Sequence, residues 1–414
     1  MHELKAYLTQ QSLLCCRSPS LRFAHPWLAP MPIPSGPRSA DDDGFARGDY
    51  SGGLFHHDVS ESAIWLLRQE PALVDAVAGS LLCFLDCASP FGRVHRAELP
   101  SKSRESEPAK PVIAQLAARV VEVKGLEWAK ENDVYPRVKK WIAYLSEHYI
   151  GLHGLGITHS SLASGFDSDL LSAGFPDKAI EGPDTSAFMI LEYEAGAALA
   201  ARFGENDIAL QWRKAADKMR VLINALLYCE DDRGGYYSAL RWQHGAASLE
   251  QERVSIKIER GTQPVETWAS LLPLYAGVPD AARAERLIAR LLNPDGYWGP
   301  SGVRTLPKDD PFFNQAPRIM HFDFKKNGRG PVSNWCGPVW VLSNYYMATA
   351  LRRYGHADLA RGLALATATL LQRDLEATGM LHECYNDAGT GLWPRTSTFI
   401  SWNVLAVQML DTLT

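Results

Sequence analysis

The sequence predicts an all-α protein in which six helical hairpins close into a ring, with long loops on one face. Three observations predict it. Apolar residues recur at helical spacing through almost the whole chain, in about twelve segments, which begin near residues 3, 58, 72, 109, 135, 185, 206, 264, 279, 338, 356 and 397. Strand-like alternation is scarce and falls chiefly at Gly234–Ser238 and Val254–Ile258, which leaves no sheet large enough to be the core. Irregular stretches over 20–57, 89–108, 150–184, 229–263, 294–338 and 376–396 are rich in Gly, Pro, Asp and aromatic residues. Compact domains seldom carry loops of this length without a use for them.

In chain order, the first helical pattern, from residue 3, leads into the stretch 20–57, which ends in Phe55-His56-His57-Asp58. Patterns from 58 and 72 follow, then a loop, then patterns from 109 and 135. The loop 150–184 comes next. Asp184-Thr185-Ser186 offers N-cap chemistry for the following helix, and Gly204 offers its stop. That helix carries Phe188, Leu191 and Leu199, whereas the one after it shows Arg213, Lys214, Lys218 and Arg220 on a polar face. Such alternation suits an inner and an outer ring. Gly277-Val278-Pro279-Asp280 separates the pair near 264 and 279. A chain of 414 residues accommodates one barrel or two ordinary domains; no composition shift marks a linker, so one domain over 1–414 is expected.

Composition narrows the class. Apolar residues make up 46% and charged residues 21%, close to ordinary globular usage, so neither disorder nor a fibrous protein is suggested. The net charge of −5 disfavours nucleic acid as a partner. The cluster Lys325-Lys326-Asn327-Gly328-Arg329 reads as a solvated loop, or else as a rim that attracts an anionic substrate. No run reaches the roughly 18 apolar residues needed to span a bilayer, and the N-terminus shows no secretory pattern. Seven cysteines without zinc-ribbon spacing read as reduced thiols, and a cytoplasmic protein is expected. Asp41-Asp42-Asp43-Gly44 lacks the spacing of a calcium loop and reads as a solvated turn. His56 and His57 lack the spacing of metal ligands on one helical face, and no metal or other cofactor is expected.

Two segments carry the chemistry. Ser164-Gly165-Phe166-Asp167-Ser168-Asp169 and Leu381-His382-Glu383-Cys384-Tyr385-Asn386 each set a carboxylate beside Gly or aromatic residues outside any apolar stripe. By itself a loop aspartate serves as a helix cap or solvated group, and a lone glutamate as surface. A glycosidic bond, however, is cleaved by one carboxylic acid that protonates the leaving oxygen and a second carboxylate that activates water or attacks the sugar. Asp167 and Glu383 are the candidates for that pair. Asn334-Trp335-Cys336-Gly337-Pro338-Val339-Trp340 sets two indoles around a Gly-Pro turn; such rings bind the apolar faces of sugars or pack a core.

These segments resemble glycoside hydrolase family 63, and within it the compact bacterial hydrolases of mannosylglycerate and glucosylglycerate. The family pattern Glu-Ser-Gly-x-Asp-Asn-Ser-Pro is met by Ser164-Gly165-Phe166-Asp167-Ser168, with Ala163 for the leading Glu and Ser168-Asp169-Leu170 for the Asn-Ser-Pro. Tyr-Trp-Arg-Gly-Pro-Val-Trp is met by Asn334 to Trp340, with Cys336 for the Arg. Glu-x-Tyr-x-Pro-x-Thr-Gly is met by Glu383 to Gly389, and the late Ser-Trp by Ser401-Trp402. Asp58 matches the Asp of the family's Trp-Asp, with His57 for the Trp.

The resemblance runs from about residue 50 to the C-terminus. It implies an (α/α)6 barrel, Asp167 as general acid, Glu383 as general base, and inversion at the anomeric carbon. His57, Asp58, Trp335, Trp340, Tyr385 and Trp402 would then bind the sugar. Inversion asks for carboxyls roughly 6.5–9.5 Å apart, and an acid whose pKa is raised by burial or by a nearby negative charge such as Asp169. The implied substrate is a short α-glucoside or α-mannoside, such as glucosylglycerate, mannosylglycerate or glucosylglycerol. For a carboxylate-bearing leaving group, Arg93, Arg96, Lys102, Arg104 and Lys308 are the candidate contacts. A sugar epimerase working through histidines and a non-catalytic carbohydrate-binding barrel are the alternatives. The partner expected is a small carbohydrate, with no nucleic acid and no membrane; the sequence leaves the oligomeric state open.

Overall fold

The computed structural model describes residues 2–34, 50–100, 107–243, 246–258, 261–314, 335–393 and 397–413. Expectations placed on Asp41 to Gly44, Lys102, Arg104, Lys325 to Arg329 and Asn334 lie outside the described residues.

Six helices form a closed inner ring. His56–Leu66 packs on Ile113–Lys124, which packs on Pro183–Arg202; next come Leu272–Tyr275, Val341–Arg353 and Leu405–Leu413, and the last returns to His56–Leu66. Among the described residues six long helices lie outside: His2–Cys15, Pro71–Asp86, Val134–His148, Asn206–Leu222, Ala281–Leu291 and Ala357–Thr378. The sequence dictates this sorting. In His56–Leu66 all residues but Asp58 and Ile64 are buried, as a helix surrounded by others must be. Asn206–Leu222 instead buries only Ala209, Trp212, Ala216 and Met219, a single stripe at helical spacing, and leaves Arg213, Lys214 and Lys218 exposed. The chain is an (α/α)6 barrel.

Connections from inner to outer helices are short, as at 203–205 and 354–356, while those from outer to inner are long: 16–55, 87–112, 149–182, 223–267, 292–340 and 379–404. Every outer-to-inner crossing in such a ring emerges at the same end. The long loops therefore precede the N-termini of the inner helices and share one face. Among the described residues seven antiparallel two-stranded pairs tie them down. Pairing of Leu54–Phe55 with Ala97–Glu98 clamps two loops together, and bridges from Val339 to both Arg304 and Tyr385 link two more.

Several local expectations change. The Pro183–Arg202 helix starts at Pro183 with Gly182 as N-cap, so Asp184 lies inside it rather than capping it; a proline is favoured at that first position because it lacks the N–H that would go unbonded. Ser186 donates back to the Gly182 carbonyl at 2.7 Å. The last inner helix begins at Leu405, after a 3-10 turn over Trp402–Val404. Glu192, fully buried, accepts from the Ala114 N–H at 2.6 Å and the Trp141 indole at 2.6 Å. An inner-ring carboxylate thus caps the neighbouring helix from the side, and its burial raises its pKa to about 7. No helix among the described residues is long and apolar enough to cross a membrane.

Candidate active site

At the loop face a pocket opens among Pro30, Tyr50, Phe55, His56, His57, Asp58, Arg96, Gly165, Asp167, Trp335, Glu383, Phe399 and Trp402. Among the described residues its wall draws on five of the six long loops and on the first turn of one inner helix. His57 and Asp58 stand in the first turn of His56–Leu66, Asp167 in the 149–182 loop, and Glu383 and Trp402 in the 379–404 loop.

The Asp167 segment is held by a tight turn. Gly165 has φ +73°, and a Cβ there would come within 2.6 Å of His57 Nδ1, so both the backbone twist and the close approach require glycine. The Phe166 N–H donates to Ser164 Oγ at 3.0 Å, and Ser168 Oγ accepts from the Trp335 N–H at 2.8 Å. This second bond ties the Asp167 loop to the Trp335 loop.

Glu383 rests on a different scaffold. It precedes the Cys384–Tyr385 strand, paired with Gly391–Trp393 and bridged to Val339. Behind it Arg304, buried to 2%, grips Asp387 through Nε–Oδ1 at 2.7 Å and Nη2–Oδ2 at 3.0 Å. Its third nitrogen donates to the carbonyls of Pro294, Gly296 and Trp298 at 2.8 to 3.0 Å. One guanidinium thus fixes two loops, a role that suits its rigid fork. Glu383 Oε2 is buried and has no hydrogen-bond partner among the described residues.

Three carboxyls share the pocket, and burial raises the pKa of each. Burial raises that of Asp167, with a further push from Glu107, against the pull of Arg96. Asp58 is raised to about 7, first by burial, although Ser401 donates to its Oδ1 at 2.8 Å and Arg96 opposes the shift. Glu383 is raised well above the ordinary carboxylate range, by burial and by Asp58 and Asp167. Asp169, expected to supply the charge beside Asp167, instead caps the Leu170–Ala173 turn through the Leu171 N–H at 2.9 Å. Glu107 is the neighbour that takes that electrostatic part.

The aromatic residues divide between wall and support. Trp335 and Trp402 line the pocket with ring centroids 5.7 Å apart. Trp340 does not line it: fully buried, it stacks against Trp335 at 3.8 Å and 8°. Tyr385 is likewise absent from the wall, its hydroxyl donating to Asp374 Oδ2 at 2.9 Å in the core behind the loop. Among the candidate cations Arg96 reaches the pocket, whereas Lys308 is exposed elsewhere and Arg93 lies off the wall.

Both histidines are neutral. The Lys110 N–H donates to His56 Nε2 at 2.7 Å, so the proton sits on Nδ1, which donates to the Arg96 carbonyl at 2.7 Å. Burial lowers the His56 pKa to about 3 and holds that of His57 far below its ordinary range. With both nitrogens engaged, His56 has no lone pair left for a metal. Sequence reasoning missed Pro30, Tyr50 and Phe399 on the wall. Tyr50 and Phe55 announce themselves only as aromatics close to His57, and the Pro30 carbonyl enters by accepting from the Ile400 and Ser401 N–H groups.

The sequence pattern of the mannosylglycerate hydrolase MGH1-like glycoside hydrolase domain matches residues 69–402. A mannosylglycerate hydrolase of Thermus thermophilus is 34% identical over 110 residues, 27% of this chain and 22% of the relative. The chain thus aligns in sequence with under a third of that relative's length. The crystal structure of a GH63 mannosylglycerate hydrolase from Thermus thermophilus in complex with glucose superposes with a TM-score of 0.66 at 19% identity, over 99% of this chain and 98% of that one. The same enzyme in complex with Tris and D-glycerate gives 0.67 at 18% identity, over 99% of each chain.

Proposed function

This chain belongs to the mannosylglycerate hydrolase MGH1-like glycoside hydrolase family, and we propose that it hydrolyses a short α-glucoside or α-mannoside with inversion, working as one domain over residues 1–414. Asp167 donates the proton to the leaving oxygen, and Glu383 activates the attacking water. The observation that carries this reading is the convergence of Asp58, Asp167 and Glu383 on one aromatic-walled pocket from loops far apart in sequence, with Glu383 Oε2 buried and unbonded among the described residues. A buried acceptor of that kind has the geometry to hold a water. Asp58, His57, Trp335 and Trp402 bind the sugar; Trp340 and Tyr385 act behind it, as the packing of the one and the Asp374 bond of the other indicate.

The epimerase alternative is disfavoured by the pocket histidines. His56 spends both nitrogens on backbone groups, and His57 is held neutral, so neither is poised to shuttle a proton. The test is direct: the purified protein is given α-glucosides and α-mannosides of glycerate and glycerol, and the first-formed product is read by proton NMR. Release of free β-glucose or β-mannose is expected. A first-formed α-anomer sinks the inverting mechanism, an intact epimerised sugar sinks hydrolysis, and no turnover with measurable binding favours the carbohydrate-binding barrel.

For the leaving group we infer a short, carboxylate-bearing one. Arg96 is the guanidinium on the pocket wall, and the similar Thermus enzyme has been crystallised with D-glycerate. A charge-assisted bond of about 1.5–3 kcal/mol translates into roughly a ten- to hundredfold preference. Glycosylglycerate should therefore exceed glycosylglycerol in kcat/KM at matched salt, and Arg96→Met should erase the difference. Equal or greater efficiency of the wild-type protein on the neutral compound rejects carboxylate recognition.

A further inference from the structure

Behind the pocket, and absent from its wall, lies a lysine that the proposed reaction does not use. Lys110 is 2% exposed, an unusual fate for a lysine unless its charge is matched. No carboxylate among the described residues forms an ion pair with it. Its ammonium donates to the Ser164 carbonyl at 2.6 Å and sits over the rings of Phe166, 3.5 Å away, and Phe188, 4.2 Å away. Its backbone N–H donates to His56, which holds the Arg96 carbonyl in turn.

One residue therefore touches three elements of the pocket: the first turn of His56–Leu66, the 87–112 loop, and the segment that ends in Asp167. The contact with Ser164 matters most. That carbonyl belongs to the peptide plane entering Gly165, whose φ of +73° turns the chain toward Phe166 and Asp167. A buried carbonyl stripped of its donor costs about 1–3 kcal/mol, and a glycine has few steric barriers to a peptide flip.

We propose that Lys110 is a positioning residue for the Asp167 loop: its ammonium holds the Ser164 carbonyl, and with it the Gly165 turn, in the arrangement that presents Asp167 to the pocket. The groups facing it are His56, His57 and Glu61 on the inner helix, Asp184 on the next inner helix, and Asp169 at the far end of the loop. Burial brings its pKa down to about 7 against the pull of Asp184, Glu61 and Asp169. The inference rests on the hydrolase reading for its effect on turnover, but not for its effect on the loop.

The test compares Lys110→Met, which keeps the length and loses the donor, with Lys110→Arg, which keeps a donor. On whichever glycosylglycerate the wild-type protein cleaves, Lys110→Met should lower kcat by about ten- to a hundredfold, the range for a reacting group displaced by about 1 Å. KM and D-glucose affinity, read by indole fluorescence, should stay within about threefold, and Lys110→Arg should recover most of kcat. Hydrogen exchange at Gly165 and Phe166 should quicken in Lys110→Met alone, a readout that needs no substrate. Unchanged exchange or unchanged kcat in Lys110→Met overturns the proposal. So does a parallel fall of kcat, affinity and Tm in both variants, which would assign Lys110 to the core. A wild-type protein inert toward every glycoside tells against hydrolysis and leaves the exchange measurement to decide whether Lys110 positions the Asp167 loop.

Discussion

Glu383→Gln is expected to lower turnover by at least about two orders of magnitude on every glycoside, whereas Asp167→Asn should do so only where the leaving group is poor. The contrast follows from what each carboxyl supplies. A general acid matters in proportion to how badly the departing oxygen needs a proton, so an alkoxide such as glycerate depends on it. A fluoride or nitrophenolate leaves without help. A general base activates water whatever departs, so its loss is felt with all substrates. Turnover of α-glycosyl fluoride by both variants, set beside turnover of the glycosylglycerate, separates the two roles. Near-normal rates in either variant on both substrates would exclude that residue from the chemistry.

The same experiment decides a second reading, which a specific observation favours. Burial raises Glu383 with both Asp58 and Asp167 adding to the push, whereas Arg96 pulls Asp167 back. In that swapped assignment the carboxyl crowded by two others, Glu383, would be the acid, and Asp167, beside the guanidinium, the base. The fluoride would then rescue Glu383→Gln instead. The pH profile gives an independent sign. Arg96 lowers the Asp167 pKa, so Arg96→Met raises it. If Asp167 is the acid, it stays protonated to higher pH and the alkaline limb of kcat/KM moves up. If it is the base, the acid limb moves up. An unmoved profile would detach Asp167 from both limbs.

Much of the architecture was legible because helical periodicity is a local property. Inner and outer helices announce themselves by how much of their circumference is apolar, and short polar joints against long aromatic loops already give the hairpin order. The paired strands were not legible: Leu54–Phe55 with Ala97–Glu98 is two residues on each side, too short for alternation to register. The last inner helix begins at Leu405 rather than near 397, because the intervening residues turn through Ser401 to bring its hydroxyl to Asp58. Nothing local encodes that contact.

The site shows the same division. The motif order brought Asp167 and Glu383 to notice, and the structure sets both on one pocket wall. What motif order cannot say is which side of a ring faces the cavity. Trp335 and Trp340 are five residues apart across a Gly-Pro turn, yet one lines the pocket and the other backs it. Tyr385 lies two residues from Glu383, and strand alternation would set the two on one face. The register break between Cys384 and Tyr385 and the hydroxyl's bond to Asp374 take it into the core. Lys110 gave no signal beyond a single lysine in an apolar stretch. Its meaning comes from the Ser164 carbonyl, more than fifty residues away in sequence.

Arg304→Met should be the most damaging change outside the pocket, because it removes the donor that several acceptors share. The guanidinium is 2% exposed and satisfies both oxygens of Asp387 and the carbonyls of Pro294, Gly296 and Trp298. Methionine matches its bulk only in part and donates nothing. Removing one member of a buried ion pair costs about 3–5 kcal/mol, and the solvent that reaches Asp387, whose side chain is 31% exposed, moves the expectation to the lower end, about 3 kcal/mol. Urea unfolding followed by indole fluorescence measures it. The functional consequence should exceed what the lost stability implies. Asp387 lies four residues beyond Glu383, in the loop that Arg304 anchors to 294–298, so folded Arg304→Met should also lose turnover. Arg304→Lys tests the geometry rather than the charge: an ammonium cannot reproduce two parallel bonds to Asp387 and three more to carbonyls, so it should recover little of either. Full stability and turnover in Arg304→Lys would show that a point charge suffices and would remove the shared fork from the account of how Glu383 is held.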